Sequence, residues 1–191
     1  MNDDVARWRA RFPDLFRDAY VEYADCRVRY TMEPVPEDHV SRVHLVAVTA
    51  DGRVVVCRSE QGGRFLPGGT REPGESLSDL ARRELMEEAG AVLLSEPRYF
   101  AAHIADSNRQ KAYRPHLPHP RAYWAWGVAA VEVVGPPTDP PHGEPVAEVL
   151  TLPPVDAADY LDVHDRVHAD VLRHAVAMGL VGPPGGQAIQ H

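Results

Sequence analysis

Hydrophobic spacing changes period along the chain, and each change marks an element. Residues 4–18 set Val5, Trp8, Phe12, Leu15 and Phe16 at helical intervals interrupted by Pro13, which predicts a short N-terminal helix. Tyr20, Val21, Tyr23, Cys26, Val28 and Tyr30 then read as one or two strands, and residues 32–38 as loop. Two β-branched runs over 43–58 flank Asp51-Gly52, a strong hairpin signal. Residues 59–75 are glycine-rich and read as loop. Helical spacing returns over 76–89, with Ser76 placed to cap its start and Gly90 to end it. Strands are predicted over 91–105, 122–134 and 146–152, helices over 155–161 and 162–178, and a frayed end from Gly182. Two proline-rich segments, 107–121 and 135–145, separate the later strands. A loop as long as 107–121 inside a domain is usually functional or mobile. This order predicts a mixed α/β architecture without internal repeats.

Composition narrows the class. The 191 residues suit one domain with a margin, large enough to bury a core without disulfides or metal. With 44% hydrophobic and 25% charged residues, the chain is globular rather than disordered. The net charge of −8, from 20 basic against 28 acidic side chains, argues against a nucleic-acid-coating protein and suits one that holds cations. Cys26 and Cys57 lie in apolar, strand-like contexts and are expected as buried free thiols. The acidic start has no apolar run behind it, so no leader peptide is expected. The longest apolar run, Ala122 to Val131, is about half the ~20 residues of a membrane helix. A soluble, cytoplasmic protein with no membrane partner is expected.

The helix over 76–89 carries acids where apolar residues belong. At about 100° per residue, Glu87 lies about −60° and Glu88 about +40° from Glu84. The three carboxylates therefore share a face and continue the stripe of Leu77, Leu80, Ala81 and Leu85, while Asp79, Arg82 and Arg83 lie away from it. Clustered carboxylates repel, and a hard divalent cation is the ligand that such oxygens favour. Leu66-Pro67-Gly68-Gly69 brings bare backbone near the same helix. A bidentate pair between Arg83 and Glu75 would clamp this loop to it; the alternative for Arg83 is a solvated pairing with Asp79.

Residues 69–91 run Gly69, five residues, Glu75, seven residues, then Arg83-Glu84-Leu85-Met86-Glu87-Glu88-Ala89-Gly90-Ala91. This resembles the Nudix box, G-x5-E-x7-R-E-U-x-E-E-x-G-U, where U is a bulky apolar residue. Ala91 departs from it, with Val92 beside it. The hairpin, later strands and last helix are also laid out as in Nudix domains, over about residues 40–178. That leaves 1–39 as an N-terminal extension and 179–191 as a flexible tail. The extension is expected either to cover a sheet edge or to build a homodimer. The resemblance implies an α/β/α sandwich with a mixed β-sheet. It also implies a pyrophosphohydrolase that uses Mg2+ or Mn2+ to cleave a nucleoside diphosphate linked to another moiety. It implies Gly69, Glu84, Glu87 and Glu88 as metal ligands, Glu75 and Arg83 as orienting residues, and Glu84 or Glu88 as base. In some relatives the base is a glutamate on a later loop, for which Glu144 and Glu148 are the candidates here.

Substrate selection should come from outside the box. Arg109, Lys111, Arg114 and Arg121 make residues 107–121 basic within an acidic chain and are candidates to grip phosphate, with His116 and His119 assisting. Tyr123, Trp124 and Trp126 alternate on a predicted strand; Trp124 and Trp126 are candidates to stack on a base, against the alternative of core packing. His164 and His168 are i, i+4 neighbours without a third ligand and read as a solvated face. Two further readings stand beside the small-molecule hydrolase. A non-catalytic nucleotide sensor would be expected to lose the box carboxylates, and an allylic-diphosphate isomerase would need a cysteine at the pocket.

Overall fold

The computed structural model describes residues 3–138 and 145–182. Helix α1 (Asp3–Arg11) ends shortly before Pro13, which cannot continue it. The N-terminal strand region divides into β1 (Ala19–Val21) and β2 (Cys26–Thr31). Strands β3 (Val40–Val48) and β4 (Val54–Ser59) follow, turning at Asp51-Gly52. The segment expected as loop over 59–75 contains two short strands, β5 (Arg64–Phe65) and β6 (Gly68–Thr70). They form because the hairpin opens. Beyond the Val48–Val54 pair, β3 and β4 separate, and β6 pairs with β3 while β5 pairs with β4.

Helix α2 (Leu77–Ala89) occupies its expected range. The single strand predicted over 91–105 is two, β7 (Ala91–Leu93) and β8 (Arg98–Ser107). Pro97 just before β8 supplies no backbone donor to a continuous ladder. Then come β9 (Arg121–Val133), β10 (Val146–Leu152), α3 (Pro154–Asp162) and α4 (Arg166–Ala177). The main sheet order is β1-β2-β8-β9-β3-β4-β10, with β5, β6 and β7 paired off this path. Only β3 and β9 run parallel among the described pairs, so the sheet is mixed.

Alternation along the strands explains the three layers. Leu45, Ala47, Val55 and Cys57 face α2, packing with Ala81, Leu85 and Ala89. Val46, Val54 and Val56 face the other way, onto α3, α4 and the N-terminal segment. Strands covered on both faces read as unbroken apolar runs, as Val54-Val55-Val56-Cys57 does. Both cysteines are free and buried as expected, and burial raises both thiol pKa values. Residues 1–39 are built into this body: β2 pairs with β8 from Cys26–Ser107 to Thr31–Ala102, and Trp8, Leu15, Phe16 and Tyr30 join the core. Within the stretch expected as a flexible tail, Val181 is buried against the same cluster, and residues 183–191 lie outside the described residues. Among the described residues no helix is long and apolar enough to cross a membrane.

The core contains histidines. His168, expected on a solvated face, is buried, whereas His164 is exposed. His168 begins the buried stripe of α4, followed by Val171, Leu172 and Ala175 at helical spacing. His174 is fully buried; its Nδ1 lies 2.9 Å from the Tyr30 hydroxyl, and its Nε2 has no partner among the described residues. Trp8, Phe12, Phe16, Tyr30 and Phe100 enclose its ring at 5.1–6.2 Å between centroids. Burial holds His103 and His174 down to about 4, against an ordinary value near 6.5. Between those values the unfolded chain binds more protons than the fold. Stability is therefore complete above about pH 6.5 and falls as pH drops through that window, by on the order of 3 kcal/mol per histidine. Other groups titrate over the same range, so the test is a difference. His174→Leu should lose Tm less steeply than wild type between about pH 7 and pH 4, followed by circular dichroism; parallel curves would exclude His174 as a source of acid sensitivity.

Candidate active site

The acidic face of α2 is set by its caps. The Ser76 hydroxyl accepts from the Asp79 N–H at 3.1 Å and donates to the Asp79 carboxylate at 2.7 Å. At the other end Gly90 takes a left-handed φ of 57°, which closes the helix without a Cβ penalty. The register so fixed buries Leu80, Ala81, Glu84, Leu85 and Ala89 together. Glu84 thus occupies a core-facing position, with its side chain 8% exposed.

Arg83 supplies the positive charge that this position requires. Its Nε and Nη2 donate to the two Glu75 carboxylate oxygens at 2.8 and 3.1 Å, the bidentate clamp expected. Nη1 donates to Glu84 at 2.9 Å and Glu87 at 3.0 Å, and Nη2 also donates to the Thr70 carbonyl at 3.1 Å. Asp79, the alternative partner, lies 3.7 Å from Arg82 instead. The Glu75 hydrogen bond is the largest reason that the Arg83 pKa stands well above its ordinary value.

The glycine loop meets the same helix. The Gly68 N–H donates to Glu88 at 2.7 Å. Gly69 lies so close to Glu84 that a methyl group there would overlap the carboxylate. Behind the loop, the Leu66 N–H donates to His168 Nδ1 at 2.9 Å, the Leu66 carbonyl lies 3.3 Å from His44 Nδ1, and Leu45 N–H donates to the Pro67 carbonyl at 2.8 Å. Burial raises the Glu84 pKa against the pull of Arg83. Glu88 keeps some open surface, yet the packing around its carboxyl, aided by the Glu84 charge, pushes it up to about 8 despite the Gly68 bond.

Among the described residues no three His, Cys, Asp or Glu side chains converge to enclose an ion as they stand. The donor set nevertheless fits a hard divalent cation. Glu84 and Glu88 are held at the cost of raised pKa values, Glu87 lies within reach of the same guanidinium, and bare backbone at Gly69 abuts Glu84. Oxygen donors and carboxylates without enough local positive charge are the chemistry that such an ion completes.

The other expected residues scatter. Trp126 is corrected to the core: it is 3% exposed, its ring stacks on His44 and its indole N–H donates to His103 at 2.9 Å, so it cannot stack on a base. Trp124 and Arg109 line a cavity. Arg114 pairs with Glu72 at 2.7 Å and Arg121 with Asp106 at 2.6 and 3.0 Å, so both are already neutralised. His116 bonds the Arg71 carbonyl, and Lys111 is exposed and lines no described cavity. Glu148 is corrected as a loop base: it lies on β10, accepts from Arg58 and the Tyr160 hydroxyl at 3.1 Å each, and is held below its ordinary pKa, chiefly by Arg58. Glu144 lies outside the described residues.

Arg42 and His44 were not singled out by the sequence, and His168 was read as solvated. Arg42 sits on β3 beside Trp124, and His44 and His168 grip Leu66 across 22 and 102 positions of chain. Only the stripe of α4 carried a local signal, since it continues an apolar face. Replacing His168 by Leu should leave the Leu66 N–H buried and unpaired, which costs about 1–3 kcal/mol. His168→Asn sets an acceptor near the Nδ1 position and should recover most of that loss in urea unfolding; equal losses in both variants would reduce His168 to a packing residue.

The NUDIX domain model matches residues 38–175. No curated protein matches the chain. Among solved structures, a variant of the Bacillus subtilis pyrophosphohydrolase BsRppH is similar with a TM-score of 0.62 at 18% identity, covering 87% of this chain and 99% of that one. The MutT protein from Methanosarcina mazei Go1 is similar at 16% identity, with 76% and 99% covered and a TM-score of 0.47. The BsRppH likeness supports the α/β/α sandwich with its mixed sheet. With a domain match over most of its length that includes the helix carrying the clustered acids, the chain belongs to the Nudix family, hydrolases of phosphoric anhydrides.

Proposed function

We propose that this protein is a metal-dependent pyrophosphohydrolase that cleaves a nucleoside diphosphate linked to another moiety by attack of water on phosphorus. The observation that carries the reading is the meeting of Glu84, Glu87 and Glu88 with the Gly68–Gly69 backbone around Arg83. Mg2+ or Mn2+ would be held by the Gly69 carbonyl and these three carboxylates. When bound, such an ion offsets the charge of the anhydride oxygens and makes water a better nucleophile.

The chain's own residues do the rest. Glu75 and Arg83 hold loop and helix in register. Glu88 is the proton acceptor, because Arg83 already bonds Glu84 while among the described residues Glu88 receives only the Gly68 N–H. A positioned base contributes about 10²–10⁴-fold. The reading is supported further by the family match and by the fold shared with a pyrophosphohydrolase.

The purified protein should release a phosphate-containing product from a nucleoside diphosphate conjugate only with Mg2+ or Mn2+. Activity that survives excess chelator would refute the metal assignment. Glu88→Gln should lower kcat by about 10²–10⁴-fold with an unchanged circular dichroism spectrum. Wild-type turnover in that variant would remove Glu88 as the base.

A further inference from the structure

A cavity of about 220 Å³ opens beside the carboxylates, walled by Tyr23, Arg42, Thr70, Arg109, Tyr113 and Trp124 among others. Sites that take a whole small ligand run to about 300–1,000 Å³, so this one fits a part of a ligand, of the order of one ring system. Its wall combines aromatic faces with two guanidiniums. Arg42 lies 5.2 Å from the Trp124 ring centroid and donates to the Tyr23 hydroxyl at 3.2 Å and the Thr70 hydroxyl at 3.4 Å. Arg109 lies 6.0 Å from the Tyr113 centroid and donates to the Tyr23 carbonyl at 2.8 Å.

The charge balance of this wall is unusual for the molecule. Among the described residues no carboxylate pairs with Arg42 or Arg109, although the chain carries a net charge of −8 and the adjacent Arg114 and Arg121 are both neutralised. No Asp or Glu lines the cavity. Guanidinium groups only donate, so the charged part of the wall favours acceptors. Thr70 joins this cavity to the carboxylates: its hydroxyl accepts from Arg42 and its carbonyl accepts from Arg83.

We propose that this cavity is the base subsite of the substrate and that Arg42 and Arg109 select bases presenting a carbonyl edge. Guanine, with O6 and N7, and uracil or thymine, with O4, offer acceptors to a guanidinium. Adenine keeps the N7 acceptor, but adenine and cytosine set an amino donor where the other bases present a carbonyl, so donor meets donor at that position. The inference rests on the proposed hydrolysis only for its substrate class, and it is tested without turnover.

Titration of the full-length protein with GDP, UDP, ADP and CDP in excess chelator, followed by calorimetry, should show GDP and UDP binding about tenfold or more tighter than ADP and CDP, the scale of one good guanidinium contact to a base. Arg42→Met and Arg109→Met, each keeping an apolar stem, should narrow that ratio. Equal binding of the four nucleotides, no binding of any, competition by inorganic phosphate alone at comparable affinity, or an unchanged ratio in both variants would overturn the proposal. Hydrolysis without base preference would leave the proposed function standing and this inference refuted. Base-selective binding without hydrolysis of any conjugate would do the reverse.

Discussion

One guanidinium decides whether the acidic face of α2 can exist inside the fold. Glu84 stands in a helix stripe otherwise made of Leu80, Ala81, Leu85 and Ala89. An ionised carboxylate there is costly unless it is paired and bonded. Arg83 meets that requirement while touching Glu75, Glu84, Glu87 and the Thr70 carbonyl together. Removing one partner of a buried pair costs on the order of 3–5 kcal/mol, so Glu75, Glu84 and Glu87 all depend on the same arginine. The same contacts fix the distance between helix and glycine loop. Stability and site geometry are therefore one constraint.

The compensation is incomplete, which is what the proposed cation would complete. One arginine faces Glu75, Glu84 and Glu87, while among the described residues Glu88 has only the Gly68 N–H as a near donor. Burial then lifts Glu84 and Glu88 above ordinary carboxylate values. A protein that needed only structure would replace such groups with apolar ones at little loss. Keeping them crowded preserves affinity for added positive charge. The loop that completes the site is held from behind by His44 and His168, whose own pKa values burial lowers. As neutral rings they leave the positive charge at the front of the loop to Arg83.

What the sequence made legible follows the range of the interactions. Helix α2, its Ser76 cap, its Gly90 end and the Glu75–Arg83 clamp were all readable, because each is set by residues within about two turns or a short loop of one another. The opening of the β3–β4 hairpin was not, because β6 and β10 compete for those strands from elsewhere in the chain. Trp124 and Trp126 look alike in sequence, two places apart on one strand. Their neighbours separate them: Arg42 from β3 for one, His44 and His103 for the other. The basic loop divides similarly. Glu72 and Asp106 silence Arg114 and Arg121 across 42 and 15 positions, and no local pattern shows which arginines stay free.

That division separates chemistry from selection. The acids, the clamp and the glycine loop fall within residues 66–90, inside the matched domain. The cavity draws Tyr23 from the segment before residue 38 and Arg109 and Tyr113 from the long loop. Its wall can therefore change without disturbing the carboxylates, except at Thr70, where hydroxyl and carbonyl serve the two regions. Arg114 on Glu72 and His116 on the Arg71 carbonyl tie the long loop to the same turn. Occupancy of the cavity and the position of the Glu75–Arg83 clamp thus share residues 70–72. Under the proposed base subsite, a ring bound in the cavity would bear on the same turn that carries the clamp, so selection there would act on alignment as well as on binding.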